Sequence, residues 1–205
     1  MKWKKFGAIA VAGVLACSAL CLSPFKPSAE AVDLMQDTFE TGYGSWKGVG
    51  STITITSDEA HGGTKSLYVH DRTASWGAPR CSMTGILAAG KTYEFQANAM
   101  FPGSGSQQFA LKMIYTDSSG TDHYDNITYK QANAGEWVTL SGSYTVPNGA
   151  TGMILYVELP GANTDQGYYI DDVLVRGEKT TIQLNDKYES DFEDGTTQSW
   201  NGRGS

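Results

Sequence analysis

Cysteine is almost missing from this sequence. It has three in 205 residues, and two of them, Cys17 and Cys21, lie in an N-terminal apolar run. That run, Phe6 to Leu22, follows Lys2, Lys4 and Lys5 and precedes Ala29-Glu30-Ala31. A positive start, a short apolar centre and a small-x-small site make a secretory leader, cut after Ala31. The run is shorter than the roughly 20 residues a spanning helix needs, so no membrane contact is expected once the leader is gone. Cys81 then stands alone, and no disulfide can form within the mature chain. Basic residues are scarce too. The leader takes four Lys and one Glu with it, leaving 11 of 15 basic and 21 of 22 acidic residues, a balance of −10 with histidines neutral. That excess disfavours a nucleic-acid partner, whose phosphates require cations. A neutral polymer or Ca²⁺ is compatible with it. The three histidines, His61, His70 and His123, form no Ser-His-Asp or metal-ligand pattern. No two carboxylates fall together on one strand face, as a glycosidase would require. No stretch after the leader has a capped helical period.

What the chain does have is a series of short apolar and aromatic runs separated by Gly, Asn, Asp and Ser, with 24 Gly in all. Strands are expected over Asp37–Thr41, Thr52–Ser57, Ser66–His70, Arg80–Met83, Thr92–Phe101, Gln107–Tyr115, His123–Lys130, Glu136–Tyr144, Gly152–Leu159 and Gly167–Arg176. Many short strands at this spacing indicate an all-β sandwich or barrel. Side chains alternate between the faces of a strand. Met153, Leu155, Val157 and Leu159 therefore face a core, and Ile154, Tyr156 and Glu158 face away from it. In Phe109–Tyr115 the odd positions carry the large apolar groups. In Tyr124–Tyr129 the alternation puts Tyr124, Asn126 and Thr128 opposite Ile127 and Tyr129. The Tyr156–Glu158 face is either a solvated sheet surface or a place where a ring and a carboxylate meet a ligand. Trp76 sits in a loop-like setting, Ser75-Trp76-Gly77-Ala78-Pro79, suited to an exposed contact. Trp46 and Trp137 read as packing residues.

The stretch 178–190 is polar and of mixed charge, and reads as a linker. After it, Phe192-Glu193-Asp194-Gly195 and Ser199-Trp200-Asn201-Gly202-Arg203-Gly204-Ser205 echo Phe39-Glu40-Thr41-Gly42 and Ser45-Trp46-Lys47-Gly48-Val49-Gly50-Ser51. The period is a domain's length, which suggests a module over 34–177 and, over 191–205, the truncated start of a second, similar one.

In order along 34–176, the sequence carries Phe39-Glu40, Ser66-Leu67-Tyr68-Val69, Arg72-Thr73-Ala74-Ser75-Trp76 and Gly90-Lys91-Thr92-Tyr93. Further on come Trp137, Leu140-Ser141-Gly142-Ser143-Tyr144-Thr145-Val146-Pro147, Tyr156-Val157-Glu158 and Tyr169-Ile170-Asp171-Asp172-Val173. Jointly these resemble the family 22 carbohydrate-binding modules. The resemblance implies a jelly-roll β-sandwich of two antiparallel sheets. Its concave sheet would bind xylan or mixed-linkage β-glucan, with contacts at Trp76, Tyr124, Tyr156 and Glu158. It also implies a non-catalytic role: targeting an attached catalytic domain, in this setting an endo-1,4-β-xylanase, in a secreted protein with a tandem second module. One position departs from the family. The cleft arginine of a Trp-x-Gly-Arg-Gly motif is here Val49, whereas the echo keeps Arg203. The alternative is therefore a thermostabilising or interaction module with little sugar binding, because fold alone does not assign function.

The chemistry suits a sugar. An aromatic ring covers the C–H face of a pyranose at low entropic cost, and an ionised acceptor such as Glu158 makes strong hydrogen bonds to hydroxyls. A second site follows from Glu40 near the start and Asp171 near the end, which approach each other if the first and last strands meet. Modules resembling this one hold a structural Ca²⁺ with the early Glu, the late Asp and loop carbonyls. Here those carbonyls would be Thr38, Gly63 and Lys65, and Ca²⁺ takes such oxygen ligands.

Overall fold

The computed structural model describes residues 31–178. Most of the expected leader, the linker and the second module start lie outside the described residues. Within them the strands are β1 (Ala31–Asp37), β2 (Trp46–Val49), β3 (Thr52–Thr56), β4 (Ser66–His70), β5 (Ala78–Ser82), β6 (Thr92–Met100), β7 (Ser106–Thr116), β8 (Asp122–Asn133), β9 (Val138–Thr145), β10 (Thr151–Glu158) and β11 (Tyr168–Glu178). One sheet runs β3-β4-β11-β6-β9, with β1 also paired to β11; the other runs β2-β5-β10-β7-β8. Every pairing is antiparallel. The result is a jelly-roll β-sandwich.

The core lies between the two sheets. Leu67, Phe95, Tyr168 and Ile170 enter it from one side, and Trp46, Phe109, Leu111, Met113 and Leu155 from the other, all essentially inaccessible to water. A fully buried Leu, Phe or Met contributes about 1.5–3 kcal/mol relative to an exposed one. The alternation expected in β10 holds, with Met153, Leu155, Val157 and Leu159 all buried in the core. Cys81 is buried there as well. Burial pushes its thiol up to about 12, so it is inert as a nucleophile.

The expected strands from Thr52 onward correspond to β3–β11, but the first differs. The Asp37–Thr41 segment bends, because Phe39 adopts φ = 56°, which a β-strand cannot continue. The turn drops the Phe39 ring onto Trp46, centroids 6.1 Å apart. The first strand instead precedes it and pairs with β11, with a register shift between Asp33 and Met35. β2 was not expected, since Gly48 and Gly50 weaken its strand character. It forms because Trp46 is buried in the core and its Nε1 donates to Asp37 Oδ2 at 2.7 Å.

Candidate functional site

Residues directly opposite one another in an antiparallel ladder share a face. On the β2-β5-β10-β7-β8 sheet this places one row across all five strands, Lys47–Arg80–Tyr156–Lys112–Asn126. On one side of it runs Ser82–Ile154–Ile114–Tyr124. On the other, Val49 faces Ala78, and Glu158 lies in line with Ala110 and Tyr129. All these residues point away from the core.

The β7–β8 register shifts between Leu111 and Lys112, so that Thr128 opposes Leu111 and Asn126 opposes Lys112. The extra residue is Ile127. A one-residue bulge exchanges the faces of everything beyond it. This corrects the expected alternation: Tyr129 joins Tyr124 on the outer face, and Thr128 moves to the side of Leu111. No signal in the sequence marks the bulge.

Trp76 sits in the loop before β5 and leans over the same face, 51% exposed. Two features hold it. Gly50, at φ = +62°, turns the chain after β2, and a Cβ there would lie 2.7 Å from Trp76 Cζ3. The loop itself is anchored by Arg72, which is buried. Its Nε donates to Gly77 O (3.1 Å), Nη1 to Asn163 O (3.4 Å) and Gln166 O (3.3 Å), and Nη2 to Leu159 O (3.0 Å) and to Ser75 O. The guanidinium also lies 5.6 Å from the Tyr168 ring centre. One buried cation thereby ties the Trp76 loop to the loop between β10 and β11.

Together these elements enclose an open groove of about 460 Å³, lined by Val49, Trp76, Arg80, Lys112, Tyr124, Tyr156 and Glu158. All four residues named from the sequence are in it, and so is Val49 in place of the arginine. Their exposure is not uniform. Tyr124 is 56% exposed, whereas Tyr156 is 3% and Glu158 7% exposed. Tyr156 lies on the expected outer face, but Arg80 and Lys112 lie over its ring, 5.5 Å and 5.4 Å from the ring centre. Glu158 Oε2 accepts from Lys112 Nζ at 3.0 Å. Burial pulls the Lys112 ammonium down, but its hydrogen bonds to Glu158 and Tyr156 outweigh this and hold it above the ordinary lysine value. Burial raises the Tyr156 phenol, which stays protonated at neutral pH. The floor is thus a protonated phenol and an ion pair, between the half-exposed walls of Trp76 and Tyr124. Arg80 and Lys112 were not named from the sequence. Strand parity could have found them: Lys112 is the polar position within the apolar alternation of Phe109–Tyr115, and Arg80-Cys81-Ser82 alternates polar, apolar, polar. Another hollow, of about 290 Å³ on the opposite sheet, includes Glu94, Gln96, Ser143 and Arg176 but has no exposed aromatic wall.

Glu40 and Asp171 do converge, on the loop His61–Lys65. Glu40 Oε1 accepts from the N–H of Thr64 and of Lys65, both at 2.8 Å, and Oε2 accepts from Thr64 Oγ1 at 2.8 Å. Asp171 Oδ2 accepts from His61 N (2.9 Å) and Gly62 N (3.1 Å). Gly63 is required, since a Cβ there would collide with the Glu40 carboxylate. The bonds from Thr64 and Lys65 hold the Glu40 carboxyl below its ordinary value, whereas burial pushes Asp171 up. What meets Glu40 from Lys65 is its N–H and, through Nζ, a 3.0 Å bond to the Glu40 carbonyl. Among the described residues no three His, Cys, Asp or Glu side chains cluster.

The pattern of a family described as a carbohydrate binding domain matches residues 34–166. The C-terminal family 22 carbohydrate binding module of Clostridium thermocellum Xyn10B is 34% identical, with a TM-score of 0.66 over 73% of this chain and 95% of that one. A xylan-binding domain of the same family is 34% identical, with a TM-score of 0.66 over 72% of this chain and 96% of that one. A xylanase/beta-glucanase of Ruminococcus flavefaciens is 36% identical over 165 residues, which make up 78% of this chain and 20% of that protein. The chain therefore spans about a fifth of the length of that curated relative, and less of the next ones, 14% each.

Proposed function

The chain belongs to the family 22 carbohydrate-binding modules, and from that premise we propose that its groove binds the backbone of xylan-type β-glycans. The observation that carries this is the placement of Trp76, Tyr124, Tyr156 and Glu158 on one open sheet face. Trp76 and Tyr124 supply the aromatic surfaces against which sugar rings lie. Arg80, Lys112 and the Tyr156 hydroxyl donate to ring and hydroxyl oxygens. Glu158 Oε2 is taken by Lys112, and Oε1 is the oxygen left to accept from a hydroxyl. Val49 supplies no donor, and the groove is open to competing water. Affinity nearer micromolar than nanomolar follows, on the order of −6 to −8 kcal/mol. Affinity electrophoresis should retard the protein in gels containing soluble xylan, with β-glucan and hydroxyethylcellulose as comparisons. Unretarded migration in all three gels would leave the interaction-module alternative standing.

The same reading extends to context. The relatives named as xylanases are several times longer than this chain, and the leader-like start implies export. The module would then hold a catalytic domain of the same polypeptide against plant cell-wall polysaccharide outside the cell.

A structural Ca²⁺ is the second part of the proposal. Asp171 is fully buried, and no cationic side chain pairs with it among the described residues. Glu40 meets the same loop at Thr64 and Lys65. Ca²⁺ held by these two carboxylates and by the carbonyls of Thr38, Gly63 and Lys65 would offset the burial of Asp171. It would also fasten the turn after β1 to β11. A metal bound only by the folded state at a hundredfold excess over its Kd adds about 2.7 kcal/mol, so EDTA should lower Tm by roughly 5 to 10 °C. An identical Tm with EDTA and with excess Ca²⁺ would remove the metal from this site.

A further inference from the structure

The cations of this outer sheet face are not balanced. Lys47 lies directly opposite Arg80 in the β2–β5 ladder, on the outer face. Like charges in that position destabilise a sheet, and among the described residues neither forms a salt bridge. Lys112 is matched by Glu158. The row across the sheet therefore keeps two uncompensated positive charges, in a sequence whose net charge is −7. Arg80 is also held in place. Its guanidinium carbon sits 5.9 Å from the Trp76 ring centre and 5.5 Å from that of Tyr156. Its Nε is buried and meets no hydrogen-bond partner. A second hollow of about 530 Å³ adjoins the groove and shares Val49 and Arg80 with it. Lys47, Ser82, Thr84 and Ile154 are among its other lining residues. Val49, a short side chain, stands where the two hollows adjoin.

We infer that this second hollow is a subsite for a carboxylate carried on the bound polysaccharide: a uronic-acid substituent branching from a xylan-type backbone. This rests on the proposed function, since the backbone must lie in the first groove for its branch to reach the second. A carboxylate matches a guanidinium fixed in one plane, which it can engage through two parallel hydrogen bonds. It would also relieve the repulsion between Lys47 and Arg80. A neutral substituent would do neither. The hydroxyls of Ser82 and Thr84 line the same hollow and suit the remaining hydroxyls of an acidic sugar.

Calorimetric titration with xylohexaose, with glucuronoxylan, and with the same glucuronoxylan after reduction of its carboxyls to alcohols tests this. Carboxyl reduction is expected to weaken binding about fivefold, a charge-assisted contact at a partly exposed site. In about 1 M NaCl, where the screening length falls to about 3 Å, that difference should vanish. Lys47→Ser should reduce the preference for the acidic polymer and leave xylohexaose binding unchanged, because Lys47 is not among the residues lining the first groove. If xylohexaose binds and carboxyl reduction changes nothing, the subsite is wrong and the xylan reading stands. If neither xylohexaose nor either xylan binds, both fall. Equal affinity for polygalacturonate and glucuronoxylan would overturn the placement of the carboxylate on a xylan branch.

Discussion

Arg72→Met is expected to abolish sugar binding and to cost about 3–5 kcal/mol of stability. The guanidinium donates to five backbone carbonyls from two loops, and a buried carbonyl stripped of its donor costs roughly 1–3 kcal/mol. Relaxation and entering water recover part of that sum. The methionine keeps the apolar stem and supplies no donor. Arg72→Lys should recover only part of the loss, since one ammonium cannot span acceptors that surround a planar fork. The loss of binding is indirect. Arg72 holds the Trp76 loop against the loop between β10 and β11, so without it the groove loses one wall. Urea unfolding followed by affinity electrophoresis measures both effects. A variant with the wild-type urea midpoint would show that these carbonyls find water as readily as they find the guanidinium.

Trp76→Ala should separate the two effects. The ring is half exposed and covers the groove more than the core, so stability should stay within about 0.5 kcal/mol of the wild type. Binding should weaken by about 2 kcal/mol, roughly thirtyfold, as for an aromatic hot spot. Trp76→Phe should fall between, retaining a smaller face for sugar and for Arg80. Titration with xylohexaose reads the loss directly. Wild-type affinity in Trp76→Ala would place the sugar elsewhere on the sheet.

Much of the groove could be read from strand parity. Met153–Leu159 alternates cleanly, and its outer side carries Tyr156 and Glu158 as expected. Parity says which face a residue is on, but not what lies over it. Arg80 and Lys112 come from neighbouring strands and cover Tyr156, and that pairing depends on register between segments distant in sequence. Parity alone puts Tyr129 on the wrong face for a related reason: the bulge at Ile127 lies in the pairing of β8 with β7 and is invisible in β8 alone. Arg72 was part of a recognisable run, yet nothing in Arg72-Thr73-Ala74-Ser75-Trp76 announces a buried cation, because its acceptors are main-chain carbonyls. The first strand escapes a sequence reading because Phe39, a strong strand former, takes a left-handed backbone conformation and packs on Trp46.

The pairing of β1 with β11 has a mechanical consequence. Ala31 begins β1, Glu178 ends β11, and the two face each other across the ladder. The first and last described residues of the sandwich therefore lie at one corner, on the sheet that does not carry the groove. Force applied between these two strand ends does not shear the ladder as a whole. It opens the hydrogen bonds from that corner one rung at a time, like a zip. The fold thus offers a single corner for attachment, on the sheet away from the groove, and resists little tension applied between its two ends.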